Sequence, residues 1–374
     1  SCFCCQRALG QTQVNELATL TKEVLGAFFV GGLLLGFISQ RTHFCTMGAI
    51  SDVVNLGDWT RARQWACAIG VAMIGFAALC DLGWLDPSKT LYASDRLMWL
   101  STLVGGFMFG YGMVIASGCG NKALVRVGGG NLKSLVVVVV MGVSAFATLK
   151  GITAVLRVST VDTVFVSMPS GANLNILGVP GLGYVVGAAL LLWALRHKDF
   201  WTFDSLLAGL GIGGLVVAMW WVSGHLGFVP EHPETLNAVY LGTSSGRIEA
   251  LNFVAPVAYT LDWLMFYSDT TKVLSTGVVS VAGVIIGSAM SAVQTQTFRW
   301  EGFANPGDLG LHLIGSLLMG VGGVTAMGCT IGQGLSGMST LSLNAVLALA
   351  GIVLGAVVSL RHQIARLERS TACA

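Results

Sequence analysis

Three cysteines stand where an apolar run breaks, at His43-Phe44-Cys45, Gly118-Cys119-Gly120 and Gly328-Cys329-Thr330. Glycines lie beside all three: Gly48 after the first, Gly118 and Gly120 around the second, Gly328 and Gly332 around the third. Small neighbours let a ligand approach backbone and thiol together. A short helix starting just after each cysteine would turn free N–H groups, and the positive end of its dipole, toward the break, which favours an anion. The thiol adds a weak donor and a polarizable surface suited to a soft sulfur atom. Asn121, Thr330 and Gln333 are neutral donors beside two of these cysteines, able to bind an oxyanion or to cap the half-helices. Arg41 and His43 precede the first break, and Lys122 and Arg126 follow the second; charges at the edge of apolar segments are either functional groups or signals of topology. The candidate binding set is therefore Cys45, Cys119, Cys329, Gly118, Gly120, Asn121, Gly328, Thr330, Gln333 and Arg41. Cys67 and Cys80 read as small buried hydrophobes, Cys373 receives no role, and Cys2, Cys4 and Cys5 lack the histidine or second cysteine pair of a metal site.

The elements that must hold these residues are set by the solvent. Of 374 residues 54% are hydrophobic and 10% charged, against about 25% charged in soluble domains. This is the composition of an all-α integral membrane protein, and the scattered net charge of +2 excludes a nucleic-acid footprint. A bilayer core needs roughly 17–25 apolar helical residues. Nine stretches qualify: 24–40, 64–84, 97–117, 132–150, 180–196, 205–223, 273–293, 309–327 and 343–361. Four connections are too apolar to be simple loops, 42–56, 118–128, 250–267 and 328–340, and these are expected as re-entrant half-helices. Irregular backbone at membrane depth is tolerated only in protein or along a cavity, so they point to a pathway.

An internal repeat gives the plan. Residues 105–120 (GGFMFGYGMVIASGCG) and 315–330 (GSLLMGVGGVTAMGCT) share Gly105/Gly315, Gly110/Gly320, Gly112/Gly322, Gly118/Gly328 and Cys119/Cys329 at one constant offset. These segments are the third and eighth spans, five crossings apart, so the halves are expected to be inverted. The expected divisions are an N-terminal segment 1–23, a first repeat of four spans 24–155, a linker with the fifth span 156–200, a second repeat of four spans 201–361, and a tail 362–374. Inverted repeats with broken helices meeting at the midplane are a transporter plan. Gly-x-x-x-Gly recurs at Gly32/Gly36, Gly106/Gly110, Gly209/Gly213, Gly283/Gly287 and Gly351/Gly355, a helix-packing signal that says nothing of substrate.

Arg361, Arg366 and Arg369 place the C-terminus in the cytoplasm by the positive-inside rule, and the count back puts Arg196, His197 and Lys198 there too. The N-terminus and the acidic stretch 224–272 then fall outside. Ser1-Cys2 opens no basic region leading into an apolar one, so no signal peptide is expected. Walker and H-E-x-x-H signatures are absent, no dinucleotide fingerprint follows a strand, and acidic residues are scarce in the spans, so the chain is expected to be no enzyme and to need neither cofactor nor metal.

At Gln40-Arg41-Thr42-His43-Phe44-Cys45-Thr46-Met47-Gly48-Ala49, Ser117-Gly118-Cys119-Gly120 and Met327-Gly328-Cys329-Thr330-Ile331-Gly332-Gln333-Gly334, the chain resembles the YeeE/YedE family of sulfur transporters. The likeness runs from about residue 24 to 361. It implies an inner-membrane thiosulfate uptake protein in which Cys45, Cys119 and Cys329 pass the anion across a constricted centre by transient S–H···S contacts. It also implies a TusA-like sulfurtransferase as a cytoplasmic partner. Two alternatives stay open: a selenium species as substrate, and a membrane-bound sulfurtransferase that forms a cysteine persulfide. For the latter a nucleophilic thiolate needs a nearby cation or helix N-terminus, which Lys122 supplies near Cys119. A scaffold role requires only packing and gives no reason for cysteines at three breaks.

Overall fold

The computed structural model describes residues 2–168, 181–231, 237–269, 273–303 and 305–372. Its long helices are α1 (Cys2–Arg41), α3 (Thr60–Asp81), α4 (Trp99–Ile115), α6 (Leu132–Lys150), α12 (Thr276–Gln294), α13 (Pro306–Thr325) and α14 (Leu343–Ala372). Between them stand shorter pieces: α2 (Thr46–Ser51), α5 (Gly120–Gly128), α7 (Ile152–Ser159), α8 (Leu182–Leu195), α9 (Phe203–Leu206), α10 (Ile212–Trp221) and α11 (Val254–Met265). Two-residue strand pairs, Arg96–Leu97 with Val166–Ser167 and Phe228–Val229 with Val239–Tyr240, are the only sheets among the described residues.

Eight helical stretches among the described residues are long and apolar enough to cross a membrane; one of them, Phe203–Leu226, joins α9 and α10 through π-helical turns. The expected span 180–196 forms α8, whose 14 residues give about 21 Å of helix, less than a bilayer core of about 30 Å. It starts at Gly181 in the left-handed region and ends before Arg196 and His197, while residues 169–180 lie outside the described set. At the other extreme, α1 begins far ahead of the expected residue 24. Residues 6–23 are rich in alanine, leucine, glutamine and glutamate and hold no proline, so nothing stops the helix when apolarity ends. The four expected re-entrant segments form α2 with the π turn Asp52–Leu56, α5, α11, and a helix over residues 330–339 that contains the π turn Gly332–Gly337.

Glycine seams decide which helices meet. Gly32 and Gly36 of α1 press on the Ser280 and Val284 carbonyls of α12, and Gly283 and Gly287 press back on Phe29 and Leu33. On the α4/α14 seam, Gly106 and Gly110 meet the Ala348 and Ile352 carbonyls while Gly351 and Gly355 meet those of Leu103 and Phe107. Gly209 and Gly213 lie against Cys67 and Ala68 of α3, so all five Gly-x-x-x-Gly motifs sit on seams. A Cβ at any of these positions except Gly209, which faces the Cys67 side chain, would overlap backbone, and close approach of this kind replaces the hydrophobic drive that lipid does not supply. Helices α4 and α13 also pack together, and α6 packs on α13 and α11. Phe28, Phe76, Phe109, Trp220 and Phe253 fill the centre, while Val30, Leu34, Val139, Val143, Leu354 and Val358 are exposed, an outward apolar surface that lipid solvates.

Asn131 starts α6: its Oδ1 accepts from the Ser134 amide at 2.9 Å, and its Nδ2 donates to Glu301 in the α12–α13 connection. Asn131→Ala is expected to cost about 1 kcal/mol through loss of the cap. Thermal unfolding in detergent checks this, and an unchanged midpoint would show that the cap contributes nothing.

Candidate functional site

The three cysteines share one local construction. Two residues before each stands a non-glycine residue in the left-handed region: His43 (φ 52°), Ser117 (φ 60°) and Met327 (φ 61°). At the ends of α4 and α13 these residues close matching Schellman turns. The Ser117 amide donates to Val114 O at 3.2 Å and the Gly118 amide to Met113 O at 2.8 Å; the Met327 amide donates to Val324 O at 3.0 Å and the Gly328 amide to Gly323 O at 2.8 Å. Glycine is the usual occupant of such a corner, so each side chain here carries a small backbone strain.

The cysteine then caps the half-helix. Cys45 is extended (φ −157°, ψ 127°) and its Sγ accepts from the Gly48 amide at 3.5 Å. The Cys329 Sγ accepts from the Gly332 amide at 3.3 Å, and the Lys122 amide turns toward Cys119 short of a full cap bond. Each thiol thus lies at the positive end of a short helix, one turn before the residue whose amide faces it.

The breaks converge. Cys45 and Cys119 present their thiols to each other, and Cys119 also faces the Thr330 hydroxyl, which is next in sequence to Cys329. The Phe253 amide, at the start of α11, donates to Asn252 Oδ1 at 2.8 Å and lies beside Cys329, so the fourth half-helix joins the group without a cysteine of its own. Cys45, Cys119 and Cys329 are all buried, as are Asn121, Thr330 and Gln333, and Gly118, Gly120 and Gly328 pack beside them. Three buried oxygens there have no hydrogen-bond partner: Asn121 Oδ1, Thr330 Oγ1 and Gln333 Oε1. Gln333 Nε2 holds the end of α13 by donating to Ala326 O at 2.8 Å.

A cavity flanks the cluster on either side. The larger, about 670 Å³, reaches Cys45 and is lined by Arg61, Lys122, Arg126, Lys133 and Arg299 together with Asp52, Glu301 and Asp308. The smaller, about 310 Å³, reaches Met327 and Gly328 and is lined by Tyr92, Glu249, Asn252 and Tyr259, with Arg157 and Asp162 paired in its wall. Arg41 lines neither; it is turned to Asp204 at 3.5 Å and over the Phe203 ring.

Several residues that the sequence did not single out hold the cluster in place. Tyr92 donates to Gly332 O at 2.7 Å, Ser336 to Leu251 O at 2.9 Å, and Trp220 Nε1 to Ser339 Oγ at 3.0 Å, three bonds that fix the half-helix after Cys329. Trp65 stacks on Phe44 at 4.6 Å beside Cys45. No sequence signal marks the three hydrogen bonds, whose partners lie 85 to 240 residues apart.

On the lip of the smaller cavity, burial pushes the Glu249 carboxyl up, against the Ser244 and Ser245 amides that favour its charge. The folded chain therefore binds this proton more tightly than the unfolded chain, and stability falls as pH rises from the ordinary glutamate value through the raised one. Glu249→Gln keeps the acceptor oxygen and is expected to raise the melting temperature at pH 8, with the gain vanishing as pH nears the ordinary glutamate range. Melting curves across that range check the sign; a gain independent of pH would contradict it.

A family model described as sulphur transport matches residues 41–358, so it takes in all three cysteine breaks. The thiosulfate transporter TsuA of Spirochaeta thermophila is 28% identical over 340 residues, covering 87% of this chain and 94% of the relative. The thiosulfate transporter TsuA of Escherichia coli is 26% identical over 332 residues, covering 87% and 90%. A shorter likeness, 27% over 105 residues, joins 28% of this chain to 24% of the probable transporter YedE of Escherichia coli.

Proposed function

The chain belongs to the sulphur transport family, and we propose from that membership that it takes up thiosulfate, relaying the anion past Cys45, Cys119 and Cys329 between the two cavities. The observation that carries this reading is the convergence, between the cavities, of three helix starts each headed by a buried cysteine. Positive helix ends and amides offset the charge of a dianion, and thiols give its terminal sulfur soft, weak contacts that let it leave again. The unpartnered oxygens of Asn121, Thr330 and Gln333 lie within the same cluster. Asn121 and Gln333 also carry amide hydrogens for the sulfonate oxygens, and the Thr330 hydroxyl can turn to donate.

Two inverted halves, 24–155 and 201–361, are supported by the matched Schellman turns and by the exchange of packing pairs. Helix α4 packs on α14 as α13 packs on α6, and α1 packs on α12 as α10 packs on α3. On the positive-inside rule the cationic cavity, with Arg61, Lys122, Arg126, Lys133 and Arg299, is cytoplasmic, as is the C-terminus; the N-terminus then lies outside the bacterial inner membrane if the short apolar helix α8 belongs to a ninth crossing. A TusA-like sulfurtransferase would receive the anion at that cavity.

The test is uptake of labelled thiosulfate into proteoliposomes, with sulfate, sulfite and selenite as competitors. Saturable uptake blocked poorly by sulfate is expected; absence of uptake above empty liposomes overturns the proposal. Mass spectrometry after exposure separates transport from sulfur transfer. Unmodified thiols with label inside the vesicles support transport, and a stable persulfide on Cys119 supports the enzyme.

A further inference from the structure

The larger cavity holds cations of unequal standing. Arg61 pairs with Asp52 at 3.3 Å and Lys133 with Asp308 at 2.6 Å, so each carries a counter-ion. Arg126 donates Nη1 to Ser117 O at 2.6 Å, the corner residue before Cys119, which fixes its guanidinium at the cavity floor. Among the described residues no carboxylate pairs with Lys122. Its electrostatic neighbours are the Cys45 and Cys119 thiols and the Arg126 and Arg61 guanidiniums. Lys122 is half-buried, and its stem lies against Gly118.

A half-buried ammonium beside other cations, with no anion of its own, is costly unless an anion arrives. The position also matches a two-ended ligand. The backbone amide of Lys122 turns to the Cys119 thiol while its side chain lines the cavity that reaches Cys45.

We propose that the Lys122 ammonium, backed by Arg126 and Arg61, holds the oxygen end of a doubly charged anion whose sulfur end faces Cys45 and Cys119, and that Lys122 thereby sets a preference for dianions over monoanions. This rests on the transport reading above. A second negative charge gains from the clustered cations what a singly charged soft anion such as thiocyanate cannot.

The experiment compares thiosulfate uptake, and its inhibition by thiocyanate, in proteoliposomes of wild type, Lys122→Met and Lys122→Arg. Loss of the ammonium is expected to raise the thiosulfate KM roughly ten-fold, the scale of one charged hydrogen bond, and to change thiocyanate inhibition far less. Lys122→Arg is expected to restore most of the affinity. An unchanged thiosulfate KM, or equal weakening for both anions, overturns the inference. A measurement on the wild-type protein stands beside it should Lys122→Met fail to fold. Thiosulfate, but not thiocyanate at equal concentration, is expected to shield Lys122 from an amine-acetylating reagent, as read by mass spectrometry; equal labelling with both anions overturns the inference. If Cys119→Ala abolishes uptake while Lys122→Met keeps the wild-type KM, only the role of Lys122 is lost. If Cys119→Ala transports normally, the underlying reading fails first.

Discussion

Thiosulfate uptake is expected to fall to the level of empty liposomes in Cys119→Ala and in Cys329→Ala, with both proteins still present in the membrane. Removing one buried sulfur costs about 1 kcal/mol of packing, too little to unfold a chain held by continuous seams. What is lost is local. Cys119 stands between Cys45 and Thr330, so alanine there leaves a gap in the line of soft contacts. Cys329 is the thiol next to Gly328 in the smaller cavity's wall and accepts the Gly332 amide, which alanine strands without a partner. Serine at either site keeps a donor and an acceptor but gives up polarizability, and is expected to fall between cysteine and alanine. Cys67→Ala is the control, since Cys67 packs against Gly209 and away from both cavities. Wild-type uptake by both alanine variants, or equal damage from Cys67→Ala, would remove the thiols from the pathway.

The second large effect is on assembly. A Cβ at Gly110 would overlap the Ile352 carbonyl, a backbone atom that cannot swing aside as the end of a side chain can. Gly110→Val is expected to cost about 3 kcal/mol or more, since overpacking of this kind forces two helices apart along their length. The expected readout is loss of the monodisperse membrane protein in detergent. Gly214 offers the contrast: it has nothing within 4 Å of an added Cβ, so Gly214→Ala is expected to be neutral or mildly stabilising. Equal behaviour of the two variants would mean that α4 and α14 are not in backbone contact.

Apolar length and the Gly-Cys breaks made the membrane class, most spans and the half-helices legible in the sequence, because lipid imposes those lengths on any chain. The Gly-x-x-x-Gly pairs announced close seams but not their partners, since a glycine face fits any other. Helix α8 is described over 14 residues where hydropathy marks the longer run 180–196, because hydropathy counts apolar residues and not the left-handed Gly181 that starts the helix. The corners at His43, Ser117 and Met327 were invisible for the opposite reason: glycine is the residue that signals a left-handed turn, and here the strain is held by surrounding contacts. The bonds from Tyr92 and Trp220 join residues 240 and 119 positions apart, a relation that local pattern does not carry. Arg41 stands beside the break in sequence, but its side chain is turned to Asp204 and Phe203 and lines neither cavity.

The glycine seams also bear on motion. Where main chain rides on main chain at four successive points, as along α1/α12 and α4/α14, sliding by part of a turn drives Cα atoms into carbonyls, so these pairs behave as stiff struts. Elastic freedom is then left to the segments outside the struts, and among these the half-helix after Cys329 is itself tied by Tyr92, Ser336 and Trp220. On the transport reading proposed above, the fixed spacing of these struts, set by backbone contact and not by side chains that can turn, would limit the largest solute that fits between them.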